Sequence, residues 1–433
     1  MIDNLQRAVA MKMIERRYTV RFLTPAFLGD AEQKGRWRTP PFKAQLRQWW
    51  RVAYAASHGF RVRVADMRRE EGLLFGNAWL ADEFAKSKVR LRLDRWDDGK
   101  LNANQWQKEW GKDKPETAKG WKVFHPDVGK QVGPNLYLGY GPLEVERVQL
   151  PTGPSDYATA LKKGAAIQAA ESAMLAVALP DTDAALVEYA LWLMDRYGTV
   201  GGRSRNGSGS YRLTPMDETP ALSGEVPLRN WRSCLELDWP HAIGKDKEGA
   251  LIWQTAPHGD WKALMRTLAI VKIGLRTQFK LTLNVQVGDR QLMKAGQPAG
   301  IEHAQPQNRH WLAYPVTRHE VRPWEYELVN NRRQNLNLRL PNQLRFKVRR
   351  TDAGQLVGVI FHMPHLPPEA FRPNRTAIEA VWACVHDFLD ALCEPANQRR
   401  YEPGKDLCAK ADREALAKQK AQLDKVQLQR IEE

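Results

Sequence analysis

The residues best placed to do chemistry in this chain are basic and glycine-rich, not acidic or thiol. The densest signal is GTVGGRSRNGSGSYRL at 198–213, where five glycines fall within twelve residues and Arg203 and Arg205 stand among them. Repeated glycine lets backbone N–H groups approach a phosphate, and arginine supplies the charge. No GK[ST] and no G-x-G-x-x-G occurs there, so neither a Walker loop nor a dinucleotide fingerprint is present. The interleaved arginines and the immediate return to a strand favour a binding loop over a flexible linker. A second signal is Lys43, Arg47 and Arg51 at i, i+4 and i+8. On a helix these form one stripe whose like charges repel by about a few tenths of a kcal/mol per pair. Such a stripe is either solvated or turned toward an anion. Arg36 and Arg38 lie just upstream.

Two further segments alternate basic and apolar residues. Lys88, Arg90 and Arg92 oppose Val89, Leu91 and Leu93, and Arg345, Lys347 and Arg349 oppose Leu344, Phe346 and Val348. Each reads as a strand with one basic face, or as an edge strand guarded by charge.

Acid–base or metal chemistry would need different residues. A ribonuclease wants a histidine of near-neutral pKa beside a cation. His58 and the group His303, His310 and His319 are candidates by type, but no spacing rule supports them, and surface or capping positions are expected. His362-x-x-His365 with Cys384 and His386 suggests zinc by composition, yet Met363-Pro364 between the first two points to a strand end. The expectation is no catalytic residue, no metal and no cofactor.

The elements that position the basic residues follow from periodicity. Tyr18, Val20 and Phe22 alternate with Arg17, Thr19 and Arg21, which predicts a strand over 14–23. Thr39-Pro40-Pro41 opens a helix running to about Ser57, with Thr39 as N-cap and Phe42, Leu46, Trp49, Ala53 and Ala56 as its apolar face. Residues 182–197 predict a helix with Ala185, Leu186, Tyr189, Trp192 and Leu193 inward, ended by Gly198 at C′. The Ala-rich stretch 157–178 fits partial helix or strand plus helix. Residues 215–230 look like a connection. Beyond it, 231–239, HWLAYPV, QLRFKVRR and QLVGVIFHMP predict strands. Residues 258–273 and 374–394 predict helices, the latter capped by Asn374. Each half thus shows an early strand, a helix, more strands and a late helix. Residues 97–133, with Trp106, Trp110 and Trp121, look like an insertion, and the near-balanced charges of the last thirty residues suggest a surface helix or frayed end.

Composition agrees with an anionic partner. The 433 residues carry 66 Lys+Arg against 50 Asp+Glu, a net charge of +16, and arginine outnumbers lysine 40 to 26. Arginine binds phosphate in two-pronged fashion, and the 16 tryptophans could stack on bases, although core or interface roles suit most of them better. No apolar run is long enough to span a membrane. The N-terminus lacks a signal-peptide pattern, and the four cysteines have no zinc-ribbon spacing, so reduced thiols and a cytoplasmic location are expected.

FLTPAFLGDAEQKGRWRTPPFKAQLRQWWR resembles the N-terminal signature of RAMP-superfamily CRISPR proteins, in particular the first subunit of the Cmr (type III-B) effector complex. LLFGNA (73–78), YLGYG (137–141) and GGRSRNGSGS are similar to further elements of that family, as are WLAYPV and GQLVGVIFHMP. Asn206 departs from the pattern, since many relatives carry a basic residue there, and no glycine-rich loop follows the second half's last helix. The resemblance implies an α+β chain of two ferredoxin-like (RRM-like) RAMP domains with insertions. The first would span 12–215, with the glycine loop at 198–209 and the 97–133 insertion. The second would span 228–400, followed by a charged tail at 401–433. It further implies an RNA-binding subunit in antiviral defence, read as non-catalytic from the residues above, whose partners are CRISPR RNA, target RNA and other effector subunits. Lys43, Arg47, Trp50, Arg51, Arg203 and Arg205, with Arg36 and Arg38 beside them, would carry the RNA contacts. The competing readings are a RAMP endoribonuclease that processes CRISPR RNA and a nucleic-acid-binding scaffold unrelated to CRISPR.

Overall fold

The computed structural model describes residues 12–79, 84–109, 121–148, 156–162, 164–285, 288–294, 297–399 and 410–432. Trp110 of the expected insertion and tail residues 401–409 lie outside them. The chain divides into two compact units that are not consecutive in sequence. The first takes 1–101, 163–202 and 209–227; the second takes 102–162, 203–208 and 228–433.

In the first unit the period-two alternation forms strand β1 (Met13–Phe22), burying Tyr18, Val20 and Phe22 and leaving Arg17 and Arg21 exposed. Helix α1 (Pro40–Ser57) follows and buries Phe42, Leu46, Trp49 and Ala53 as its spacing predicts. Its start differs from expectation. Thr39 is already helical and makes no side-chain cap, so the entry rests on proline in the first turn. Then come α2 (Val64–Phe75), β2 (Arg90–Leu93), β3 (Ser172–Pro180), α3 (Ala184–Tyr197) and β4 (Tyr211–Pro215). The sheet order is β4-β1-β3-β2, and every neighbouring pair is antiparallel. The core is aromatic: the Phe22 ring lies 5.2 Å from Trp37, 6.4 Å from Phe42 and 6.2 Å from Tyr211.

The buried face of α3 is Val187, Ala190, Leu191, Leu193, Met194 and Tyr197, rotated from the expected one. Tyr189 and Trp192 are covered instead by the stretch expected to be a connection. Tyr189 Oη donates to the Glu225 carbonyl at 2.7 Å, and a Cβ on Gly224 would fall 2.8 Å from both rings. Gly198 has φ −77°, so α3 does not end in a left-handed residue. Arg90 and Arg92 are exposed on the edge strand β2, while Val89 and Leu93 are buried. The basic alternation there guards an edge.

The second unit repeats the element order. Strand β5 (Ile252–Thr255) leads to α4 (Trp261–Thr277), β6 (Leu344–Arg350), β7 (Leu356–His362), α5 (Arg375–Ala391), α6 (Lys410–Leu423) and β8 (Leu428–Arg430). Its sheet order is β6-β7-β5-β8, again antiparallel throughout. Asp260 and Asn374 cap the two long helices, accepting from Lys262 and Ala263 N–H at 2.8 and 2.9 Å and from Ala377 N–H at 3.0 Å. In each unit the first strand is central and the second is at an edge.

Several expectations change here. Residues 410–432 are not a frayed end: they supply α6 and the edge strand β8, with Leu423, Val426 and Leu428 buried. Trp231–Cys234 is a short helix capped by Asn230, not a strand, and HWLAYPV begins in a 3-10 turn at Asn308–Trp311. Strand β6 has no exposed basic face, because Arg345 is 8% and Lys347 0% exposed.

Candidate nucleic-acid interface

The glycine-rich loop turns by repeated left-handed conformations: Gly201 at φ +91°, Arg203 at +56°, Gly207 at +92° and Gly209 at +65°. Space as well as φ demands glycine at two of them. A Cβ on Gly209 would sit 1.9 Å from the Val200 carbonyl oxygen, and one on Gly201 would sit 2.7 Å from that of Phe27. The expected cradle of free N–H groups is not formed at these positions. Gly202 and Gly209 donate to the carbonyls of Phe27 and Pro25 at 2.9 and 2.8 Å, and Asn206 and Gly207 donate within the turn to Arg203 and Ser204 at 2.9 and 3.1 Å. The glycines serve tight packing, and anion binding falls to side chains.

Residues 203–208 belong to the second unit, where Asn206 is the pin. It is 8% exposed. Its Nδ2 donates to the Leu138 carbonyl at 2.6 Å, and its Oδ1 accepts from Lys272 Nζ on α4. The N–H of Phe346 on β6 donates to the Arg205 carbonyl at 3.0 Å, and the Lys272 ammonium stands 5.7 Å from the Phe346 ring centroid. A cation at position 206 would face the Lys272 ammonium.

Around this pin the charge is all of one sign. Burial, then Arg276, Arg203 and Arg205, pushes the Lys272 ammonium well below the usual lysine range. Burial, then Arg205, brings Arg345 down to about 9. Arg203 and Arg205 are exposed at the surface. Among the described residues, Arg203, Arg205, Lys272 and Arg276 make no ion pair. Lys272 and Arg276 were missed by sequence reasoning. Their i, i+4 spacing on α4 was the available signal, but the apolar run that reveals the helix stops short of Arg276.

The first unit uses its basic stripe differently. Glu71 of α2, 2% exposed, accepts from Arg47 Nε at 2.7 Å and from Arg51 Nε and Nη2 at 2.7 and 2.8 Å. The anion these arginines face is a carboxylate of their own chain. Lys43 Nζ donates to Ser87 Oγ at 2.9 Å, and burial together with Arg47 lowers its pKa. Trp50, 2% exposed, packs against Tyr54 and Phe75, so its ring has no open face for a base. Arg36 pairs with Asp98 at 3.1 Å, and Arg38 Nη1 donates to the Gly29 carbonyl at 2.5 Å. Lys43, Arg47 and Arg51 fall in the first unit, Arg203 and Arg205 in the second.

Among the histidines, His58 caps α1 as expected, its Nδ1 at 2.8 Å from the Tyr54 carbonyl. His303 and His310 are fully buried, contrary to a surface role. His362 and His386 are buried too, with Nδ1 and Nε2 at 2.9 Å from each other. Burial holds His386 down at about 3. Among the described residues no group of three or more His, Cys, Asp or Glu is placed to hold a metal, and no helix is long and apolar enough to cross a membrane.

No family model matches the sequence, and no curated protein matches it. Among solved structures, the chain is similar to apo Cmr1 from Pyrococcus furiosus, with a TM-score of 0.41 and 14% identity over 86% of this chain and 96% of that one. It is also similar to a chain in the cryo-EM structure of the type III-B Cmr-beta bound to cognate target RNA, with a TM-score of 0.38 and 12% identity over 86% of this chain and all of that one.

Proposed function

We propose that this chain is a non-catalytic RNA-binding subunit of a type III CRISPR effector complex, holding guide or target RNA by its backbone. The observation that carries the RNA-binding part is the cluster of Arg203, Arg205, Lys272 and Arg276, which has no acidic counterpart among the described residues. Such a cluster is stable when a polyanion neutralises it. The N-terminal signature and the glycine loop support the CRISPR part. The element order of each unit, strand-helix-strand-strand-helix-strand with the first strand central, supports two ferredoxin-like domains. The partners are CRISPR RNA, target RNA and neighbouring subunits in the cytoplasm, and sequence selection comes from guide pairing, because backbone contacts carry little sequence information.

The test has two parts. Co-expression with a type III-B gene set should return the chain in a complex containing short CRISPR RNA. Purified protein incubated with labelled RNA, with and without Mg²⁺, should bind it and leave its length unchanged. Discrete products abolished by changing one histidine would overturn the non-catalytic reading, and failure to enter the complex would overturn the CRISPR reading.

A further inference from the structure

Within the second unit a cleft of about 690 Å³ opens beside Arg276 and is lined by His125, Tyr137, Lys280, Arg318 and His319 among others. That volume suits a nucleotide. Its charge is largely positive; Asp127 in the wall is taken up by Arg309. His125 and Tyr137 form an aromatic wall with ring centroids 5.4 Å apart. His125 is 7% exposed, and its Nδ1 has no hydrogen-bond partner.

Behind the cleft stands a chain of hydrogen bonds that fixes one tautomer. The Asp289 carboxylate, with a side chain 1% exposed, accepts from the N–H groups of Asn284 and Ala304 at 2.7 and 2.8 Å. It also accepts from His303 Nδ1 at 3.0 Å, a stronger claim on that nitrogen than the Gln307 amide at 3.3 Å. His303 Nδ1 therefore carries a proton, and in the neutral ring Nε2 is the acceptor that faces His319 Nδ1 at 2.9 Å, so that Nδ1 is the donor. This leaves His319 Nε2, on the cleft-lining residue, as a neutral lone pair with no partner among the described residues. Burial, then His303 and Arg309, opposes a second proton on that ring and holds it down at about 4. An imidazole acceptor among cations suits a ligand that presents a hydroxyl donor next to a phosphate.

We propose that this cleft reads the sugar of one ribonucleotide, with the 2′-hydroxyl donating to His319 Nε2 and the adjacent phosphate held by Arg276, Lys280 and Arg318. The site rests on the RNA-binding reading and deepens it, since Arg276 joins the cleft to the cation cluster at 203–208. It gives the chain a means of telling RNA from DNA, because the 2′-hydroxyl is the donor that DNA lacks.

The test compares three single strands of one sequence, all-ribo, all-deoxy and 2′-O-methyl, by fluorescence anisotropy with the full-length chain. The methylated strand keeps the RNA-like sugar pucker but has no donor, so it separates shape from the hydrogen bond. The wild type should bind the ribo strand about five- to tenfold more tightly than either other strand, the worth of one hydrogen bond. His319→Phe should lower ribo binding to the deoxy level and leave deoxy binding unchanged, whereas Arg203→Ala should weaken all three alike. Equal wild-type affinity for the ribo and methylated strands, which needs no variant to fold, would overturn the inference while leaving RNA binding intact. So would a preference that survives His319→Phe. Absence of binding to every strand would remove the RNA-binding reading and this one with it.

Discussion

Replacing Glu71 by Gln would leave Arg47 and Arg51 converging on a neutral side chain in a site only 2% exposed. Charge-assisted hydrogen bonds would disappear and two like charges would be left close together. Because the arginine side chains are 29% and 43% exposed, solvent screens part of the effect. The expected cost is about 1–3 kcal/mol in urea unfolding, and an unchanged midpoint would mean that the triad is a solvated surface contact. The basic stripe was legible because helical spacing is local. Its partner was not: Glu71 lies 20 residues beyond Arg51, and nothing in RREEGLL distinguishes Glu71, which is buried, from Glu70, which reaches Tyr54 Oη at 3.0 Å. The same limit hid the pin at Asn206, whose two partners come from distant parts of the chain.

At the scale of elements, the loop at 203–208 and the strand β8 show what local pattern can and cannot reveal. Glycine spacing announces a special backbone but not whether its N–H groups face a ligand or the chain's own carbonyls. Asn206→Leu keeps the volume while leaving the Leu138 carbonyl and the Lys272 ammonium without their partner. We expect a loss of about 2–4 kcal/mol, with two buried polar groups stranded, together with faster proteolysis at Arg203 and Arg205. A variant as stable and protease-resistant as the parent would contradict the pinning role. Strand β8 was missed because three residues, Leu428–Arg430, are too short to show alternation, and its pairing partner Trp253–Thr255 lies far upstream. Ending the chain at Asp424 removes buried Val426 and Leu428 and the Arg430–Asp246 ion pair at 2.7 Å. At about 1.5–3 kcal/mol per buried aliphatic side chain, the second unit should lose on the order of 3–5 kcal/mol, read as an earlier urea transition. An unaltered transition would mean that the tail is ornamental to that sheet.

At the scale of the whole molecule, the histidines are unevenly sorted between the units. Nine of the ten histidines lie in the second unit, His58 being the exception. Burial lowers His241 and His365 to about 4 and His310 and His386 to about 3. These groups are neutral when folded and have ordinary values near 6.5 when unfolded, so the unfolded chain binds more protons between about pH 6.5 and 4. Their stabilising contribution is complete above about pH 6.5 and is lost as pH falls toward about 4. Urea midpoints for the second unit should therefore fall from about pH 7 to about pH 5, and His386→Gln should make that fall shallower. A flat profile would contradict neutral burial. The repeated element order of the two halves was visible from periodicity, because amphipathic helices and alternating strands are local. The interleaving of segments between units was not, because 102–162 and 203–208 join the second unit through packing that no short pattern encodes.

The RNA binding proposed for this chain requires a polyanion to neutralise the cations around 203–208. The most direct test is the salt dependence of binding to a labelled single-stranded RNA, measured for the parent chain and for the Arg203→Ala, Arg205→Ala double variant. The parent should bind at low salt with affinity falling linearly in log–log form. The double variant should show a slope shallower by about 1.4, close to 0.7 for each single-strand phosphate that the chain ceases to neutralise. A parent chain that binds no RNA in dilute buffer, or a slope unmoved by removing both arginines, would contradict it.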